Sequence, residues 1–228
     1  MEDLKQVAAR EALKYIQAGS TIGLGAGSTI AHLIHYLKED AALLQSITTV
    51  TSSYNTQLLL QEHGFTIKEI GGVSRLDLYF DGCDQFDRQL NALKSGGGIH
   101  TREKLLAAMA DKFIIIGDGS KYVDQLYVTY PVVIEVIPEA VPFVLLQVKK
   151  VFSTVNPVVR ISNKKDGAVI TENGNLLIDL WFTTFPPVDT INPQLKAIPG
   201  ILETSLFYQM AQEAVVAGKT GVEVIRRV

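Results

Sequence analysis

The chain has 228 residues, 47% hydrophobic and 20% charged, with a formal net charge of −3. That length supports a buried core in one large or two smaller domains, and the mildly acidic balance argues against a general nucleic-acid binder, whose surface would be basic. The single cysteine, Cys83, excludes an intrachain disulfide and fits a reducing, cytoplasmic compartment.

The first residues carry Glu2, Asp3 and Glu11 on an amphipathic pattern, so no signal peptide is expected. Leu4, Val7, Ala8, Ala12, Tyr15 and Ile16 recur at helical spacing, with Gly19 as the stop. A strand over Thr21–Leu24 runs into Gly25-Ala26-Gly27-Ser28-Thr29, and Ile30, Leu33, Ile34 and Leu37 mark the next helix. Ile47–Val50, the turn Thr51–Ser53 and a helix ending near Gly64 repeat the theme. Leu76, Leu78 and Phe80 predict a strand leading to Asp81-Gly82-Cys83-Asp84; a helix then starts near Thr101, and Phe113–Gly117 reads as a buried strand. Strands alternating with helices predict a parallel sheet covered on both faces. The apolar runs are too short to span a bilayer, so no membrane association is expected.

After Tyr130 the pattern changes. Pro131–Pro138 reads as a strand, Val141–Phe152 as a helix and Val158–Ser162 as a strand. Asn173-Gly174 between Ala168–Thr171 and Leu176–Phe182 signals a hairpin, and a helix is expected around Asn192–Ile198. This order predicts a small α+β domain over residues 129–201, inserted into a large α/β domain of residues 1–128 and 202–228.

Four polar segments fall where strands of an open parallel sheet end, the usual place for ligands. Gly25–Thr29 suits a phosphate, because glycines admit an anion to free N–H groups and hydroxyls add donors. A tight turn with an N-cap explains it equally well. Asp81 and Asp84 could bind sugar hydroxyls or move protons; no histidine lies nearby, so metal is not expected. Lys94-Ser95-Gly96-Gly97-Gly98 sets a cation beside backbone able to approach a ligand closely. Glu103, in Thr101-Arg102-Glu103-Lys104, either complements the positive helix end or acts as a base, and Leu105, Leu106, Ala108 and Met109 are available for packing. Lys121, after Gly117-Asp118-Gly119-Ser120, could bind an anion. Cys83 reads as a turn filler, and His32 with His35 lack a third partner for zinc.

In order, Gly25–Thr29, Asp81–Asp84, Lys94–Gly98 with Thr101–Lys104, Val132–Pro138 (VVIEVIP), Thr171–Asn175 (TENGN) and Ile198-Pro199-Gly200-Ile201 resemble the ribose-5-phosphate isomerase A family nearly end to end. The resemblance implies a Rossmann-like domain with a smaller ferredoxin-like α+β domain, a homodimer or homotetramer, and interconversion of D-ribose 5-phosphate and D-ribulose 5-phosphate without cofactor or metal. It implies Glu103 as general base, with Asp81, Asp84 and Lys94 at the reacting end and Asp81 assisting ring opening. The substrate-binding shell it implies comprises Ala26, Gly27, Ser28, Thr29, Gly82, Cys83, Ser95, Gly96, Gly97 and Lys121. Three departures stand out: Ala26 where the family usually has threonine, Ser95 for a glycine, and Cys83 with Gln85 for alanine and glutamate. If position 95 required positive φ, the serine would be strained. Alternative readings are a non-catalytic sugar-phosphate sensor and an isomerase for another phosphosugar.

Overall fold

The computed structural model describes residues 3–227; Glu2 of the expected first helix lies outside them. In chain order the strands are β1 (Thr21–Leu24), β2 (Thr48–Thr51), β3 (Thr66–Ile67), β4 (Leu76–Asp81), β5 (Gln85–Phe86), β6 (Ala92–Leu93), β7 (Ala110–Asp118), β8 (Val132–Val136), β9 (Val155–Val159), β10 (Leu176–Phe182), β11 (Ile201–Thr204), β12 (Leu206–Phe207), β13 (Glu213–Gly218) and β14 (Gly221–Arg226). The α-helices are α1 (Leu4–Leu13), α2 (Ser28–Glu39), α3 (Ala41–Ser46), α4 (Tyr54–Glu62), α5 (His100–Met109), α6 (Val141–Val151) and α7 (Val188–Lys196).

Short apolar strands alternating with helices build a seven-stranded sheet in the order β14-β13-β7-β4-β1-β2-β3. Its pairings are parallel except β13 with β14. From β1 the chain moves outward through β2 and β3, then crosses to the other side of β1 to lay down β4. The carboxyl ends of β1 and β4 therefore form a topological switch point, where a crevice opens. Both faces are buried, as the apolar strands require. Phe80, Ile114 and Ile116 pack beneath the side covered by α1 and α2, with Leu33 and Ile34 among their partners. Tyr79, Phe113 and Ile115 face the side that receives Leu106 and Phe207.

The second sheet has the order β11-β8-β10-β9, all antiparallel, with α6 and α7 in the connections. This βαββαβ sequence with its outer fourth strand beside the first is the ferredoxin-like arrangement expected for the smaller unit. Its core joins Ile134, Val136, Val144, Val148, Ile178, Leu180, Ile191 and Leu195. A third small sheet, β12-β6-β5, delivers the chain directly to Lys94.

Several boundaries differ from expectation. The first helix ends at Leu13, six residues before Gly19, whose φ is +81°. The strand expected at Val158–Ser162 is β9, three residues earlier, and Ala168–Thr171 makes only isolated bridges to Ile161 and Leu176. Asn192-Pro193 looks like a helix start because proline suits the first helical position, yet α7 begins at Val188 and carries Pro193 in its interior. In addition, β11 pairs with β8 as an outer strand of the small sheet.

Candidate active site

β1 and β4 end side by side, and the first requirement of the site is met there. Gly25 must lack a side chain, because a Cβ would lie 2.0 Å from Asp81 Cγ. Asp81 is fully buried and both its oxygens are engaged. Oδ1 accepts from Gly82 N at 2.8 Å and Ala26 N at 3.2 Å, while Oδ2 accepts from Tyr79 Oη and pairs with Lys94 Nζ at 2.8 Å. Tyr79 and Asp81 share a strand face because side chains alternate every second residue.

Lys94 is held from three directions. Its backbone N donates to Ser205 O at 3.0 Å, its ammonium donates to Gly82 O at 2.6 Å, and Nζ lies 3.4 Å from Glu103 Oε1. The Phe207 ring stands behind it, 5.8 Å from Nζ. Glu103 occupies the first turn of α5 with its side chain 5% exposed, facing the crevice. The glycine run makes this entry possible: Gly98, with φ +73°, turns the chain into α5. Asp84 accepts from Ser95 N at 2.5 Å and Gly96 N at 3.0 Å through Oδ2, leaving Oδ1 without a protein donor among the described residues.

Electrostatics follow from burial. Desolvation pushes the Glu103 carboxyl above the usual carboxylate range; Lys94 opposes that rise and Asp81 adds to it. Burial alone would lower Lys94, but Asp81 and Glu103 reverse the effect and hold the ammonium above its ordinary value. Tyr79 is raised well above its usual value, first by burial and then by Asp81, so its hydroxyl remains a donor. Burial likewise pushes the Cys83 thiol up to about 12, against the pull of Lys94, which leaves it neutral rather than nucleophilic.

The far end of the crevice gathers an uncapped helix start and two lysines. Gly27, with φ +97°, precedes α2 and supplies no side-chain cap, so the N–H groups of the first turn stay open. Lys5 Nζ donates to Ser28 Oγ at 3.0 Å, and Lys121 stands on the facing wall. Beside them burial would raise Asp118, but hydrogen bonds from Ser120 and the charges of Lys121 and Lys5 keep it below its usual range.

Ala26, Gly27, Ser28, Thr29, Gly82, Cys83, Asp84, Lys94, Gly96, Gly97, Glu103 and Lys121 thus line one cavity of about 280 Å³. Two expected residues sit elsewhere. Asp81 is buried beside the cavity lining, with two partners on each oxygen, Lys94 Nζ among them. Ser95 is 2% exposed and points away, its hydroxyl donating to Pro131 O at 2.6 Å. Its φ is not positive, since among the described non-glycine residues only Leu90 and Gln209 have that conformation, so the serine carries no such strain. Lys5, Tyr79 and Asp118 were not anticipated; the alternation placing Tyr79 on the Asp81 face was the one available signal. Among the described residues no three His, Cys, Asp or Glu side chains gather to hold a metal ion.

The family model described as ribose 5-phosphate isomerase A (phosphoriboisomerase A) matches residues 48–221. A second, the DeoR C-terminal sensor domain, matches residues 1–80. The chain is 36% identical over 229 residues to ribose-5-phosphate isomerase A of Pyrococcus horikoshii, covering 100% of this chain and 99% of that protein. The Thermosynechococcus vestitus protein of the same name is 35% identical over 213 residues, 92% of this chain and 89% of the relative. Among solved structures, a D-ribose-5-phosphate isomerase in complex with phospho-erythronic acid superposes with a TM-score of 0.91 at 36% identity, covering 100% of each chain. Ribose 5-phosphate isomerase A from Methanocaldococcus jannaschii gives 0.90 at 31% identity, covering 98% of each.

Proposed function

The chain belongs to the ribose-5-phosphate isomerase A family, and from that premise we propose that it interconverts D-ribose 5-phosphate and D-ribulose 5-phosphate, with Glu103 as the base. The observation that carries this reading is the Glu103 carboxylate, buried yet facing the crevice, 3.4 Å from the Lys94 ammonium. In the open-chain aldose Glu103 takes the proton from C2, and the electron pair forms the C1–C2 double bond while O1 becomes an enediolate oxygen. Lys94 lies where it can donate to that oxygen, the kind of pre-aimed charge that stabilises a transition state. The O2 proton passes to O1, C2 becomes the carbonyl, and Glu103 returns its proton to C1. Burial raises the affinity of Glu103 for that proton and matches the base to neutral pH.

Asp84, with Oδ1 free, is the carboxylate that meets a sugar hydroxyl and assists ring opening, while Asp81 holds Lys94. The phosphate sits at the start of α2 among Ser28, Thr29, Lys5 and Lys121, where remote binding orients the reacting carbons. These steps use side chains alone, so turnover is expected to survive a chelator. The sensor-domain match stops at residue 80 and therefore includes none of Asp81, Asp84, Lys94 or Glu103. A coupled assay across five- and six-carbon aldose phosphates tests the reading, with Glu103→Gln in parallel. Wild-type turnover of ribose 5-phosphate that collapses in the variant is expected; binding without turnover by the wild type would favour a sensor instead.

We further propose a division at Thr204, supported by the β8–β11 pairing, with 129–204 as the smaller unit. A homodimer or homotetramer is supported by exposed Phe143, Leu146, Val158 and Trp181 on the smaller unit. A cytoplasmic setting is supported by the unpaired Cys83.

A further inference from the structure

Two motifs prominent in the sequence, Val132–Pro138 and Thr171–Asn175, contribute nothing to the cavity wall, yet they converge on one carboxylate. Glu135, on β8, is 1% exposed. Its Oε1 accepts from Thr171 Oγ1 at 2.7 Å, Asn175 Nδ2 at 2.8 Å and Asn173 Nδ2 at 3.0 Å. Its Oε2 accepts from the hydroxyl of Thr101. Thr101 belongs to the first turn of α5, two residues before Glu103.

Among the described residues every donor to Glu135 is neutral. Glu203 stands opposite it in the β8–β11 ladder but is matched by Lys104 at 3.0 Å and Lys196 at 3.2 Å. His100, facing the same region from α5, is lowered to about 4 by burial and by Lys104, so it brings no positive charge at neutral pH. Burial would raise the Glu135 carboxyl, but the four hydrogen bonds, led by Thr101, hold it below its usual range. A buried charge without a counter-ion is costly, and a position needed only for packing would be apolar. What the charge does is visible at α5. The residue preceding that helix, Ile99, provides no side-chain cap, so the first turn lacks the usual local anchor. Arg102 adds a second tie to the same turn, donating to Asn173 Oδ1 and Glu172 O at 3.0 Å each.

We propose that Glu135 is a positioning residue for the isomerisation: through Thr101 it fixes the first turn of α5 and so sets the approach of Glu103 to the reacting carbons. The inference rests on the reading of Glu103 as the base. Displacing a catalytic group by a fraction of its reach costs rate rather than affinity, on the order of 10- to 100-fold.

The test compares Glu135→Gln, Thr101→Val, their double mutant and Thr171→Val, all assayed with ribose 5-phosphate. Glu135→Gln and Thr101→Val are each expected to lower kcat about tenfold or more with KM within about threefold. The double mutant should be no slower than the worse single, because both remove one link. In both singles the acid limb of kcat/KM should move, since Glu103 leaves its place beside Lys94. Thr171→Val takes one donor from Glu135 Oε1 and leaves Asn173 and Asn175 bound there, so it should lower kcat less than Thr101→Val does. Thr101→Val changes one hydroxyl at a half-buried helix start, so it decides the matter even where Glu135→Gln fails to fold. Wild-type kcat in Thr101→Val, multiplying losses in the double mutant, or an unmoved pH limb would each overturn the proposal. A wild-type protein with no isomerase activity would instead remove the reading on which it rests.

Discussion

Replacing Lys94 by methionine keeps the length and bulk of the side chain and deletes only its charge. Three contacts vanish: Asp81 Oδ2 at 2.8 Å, Glu103 Oε1 at 3.4 Å and Gly82 O at 2.6 Å. Asp81 keeps three donors, whereas Glu103 keeps none among the described residues. With the three side chains at 7%, 1% and 5% exposure, solvent compensates little. Stranding a buried charge in this way costs about 3–5 kcal/mol, and we expect the loss to approach that size in urea unfolding at alkaline pH, where the wild-type Glu103 carboxyl is ionised. The loss should also depend on pH in a particular sense. Lys94 is the group that pulls Glu103 down, so its removal drives the folded-state pKa of Glu103 further above the unfolded value of about 4.3. A carboxyl raised on folding contributes stability that is complete below the unfolded value and fades as pH climbs through the folded one. The wild-type carboxyl is raised to about 8, so the deficit of Lys94→Met must grow as pH climbs above about 8 and shrink again on return to neutral pH. Adding Asp81→Asn should recover part of it at pH 8. A deficit below about 1 kcal/mol, the scale of an exposed pair, or one constant with pH, would refute this account of the buried triad.

Gly25→Ala forces a methyl into the Asp81 carboxyl and should cost about 1–3 kcal/mol by overpacking together with most of the turnover, read by thermal melting and kcat. Ser95→Ala removes the donor to Pro131 O and should destabilise by about 1–3 kcal/mol, while KM for ribose 5-phosphate stays put because the hydroxyl faces away from the cavity. Lys5→Gln should raise KM with little change in kcat, as expected for uniform binding of a remote phosphate; a fall in kcat alone would place Lys5 at the reacting end.

The sheet was legible because β1, β4 and β7 are apolar runs ended by glycine-rich or acidic turns, and those turns lie where the switch point puts them. Gly25–Thr29, Asp81–Asp84 and Lys94–Gly98 announced the crevice for the same reason. The orientation of Glu103 was not legible. Helix α5 buries His100, Glu103 and Lys104 beside Leu106 and leaves Leu105 49% exposed, so its pattern inverts the apolar-in rule on which periodicity depends. Lys5 was hidden because its partner Ser28 is 23 positions away and only folding joins them. Asp81 and Asp84 look equivalent in sequence, and only the donors around each distinguish an anchor from a group open to the ligand. Pro193 misled the placement of α7, because proline within a helix resembles proline at its start.

Proton transfer at residue 103 is tested most directly by incubating wild type and Glu103→Gln with ribose 5-phosphate in heavy water, following C2 of the aldose and C1 of the ketose by NMR. The wild type should place solvent deuterium at these carbons while the amide variant, still folded and still binding the sugar phosphate, leaves them protiated. Deuterium entering at a near wild-type rate in the variant would contradict the assignment and require another base.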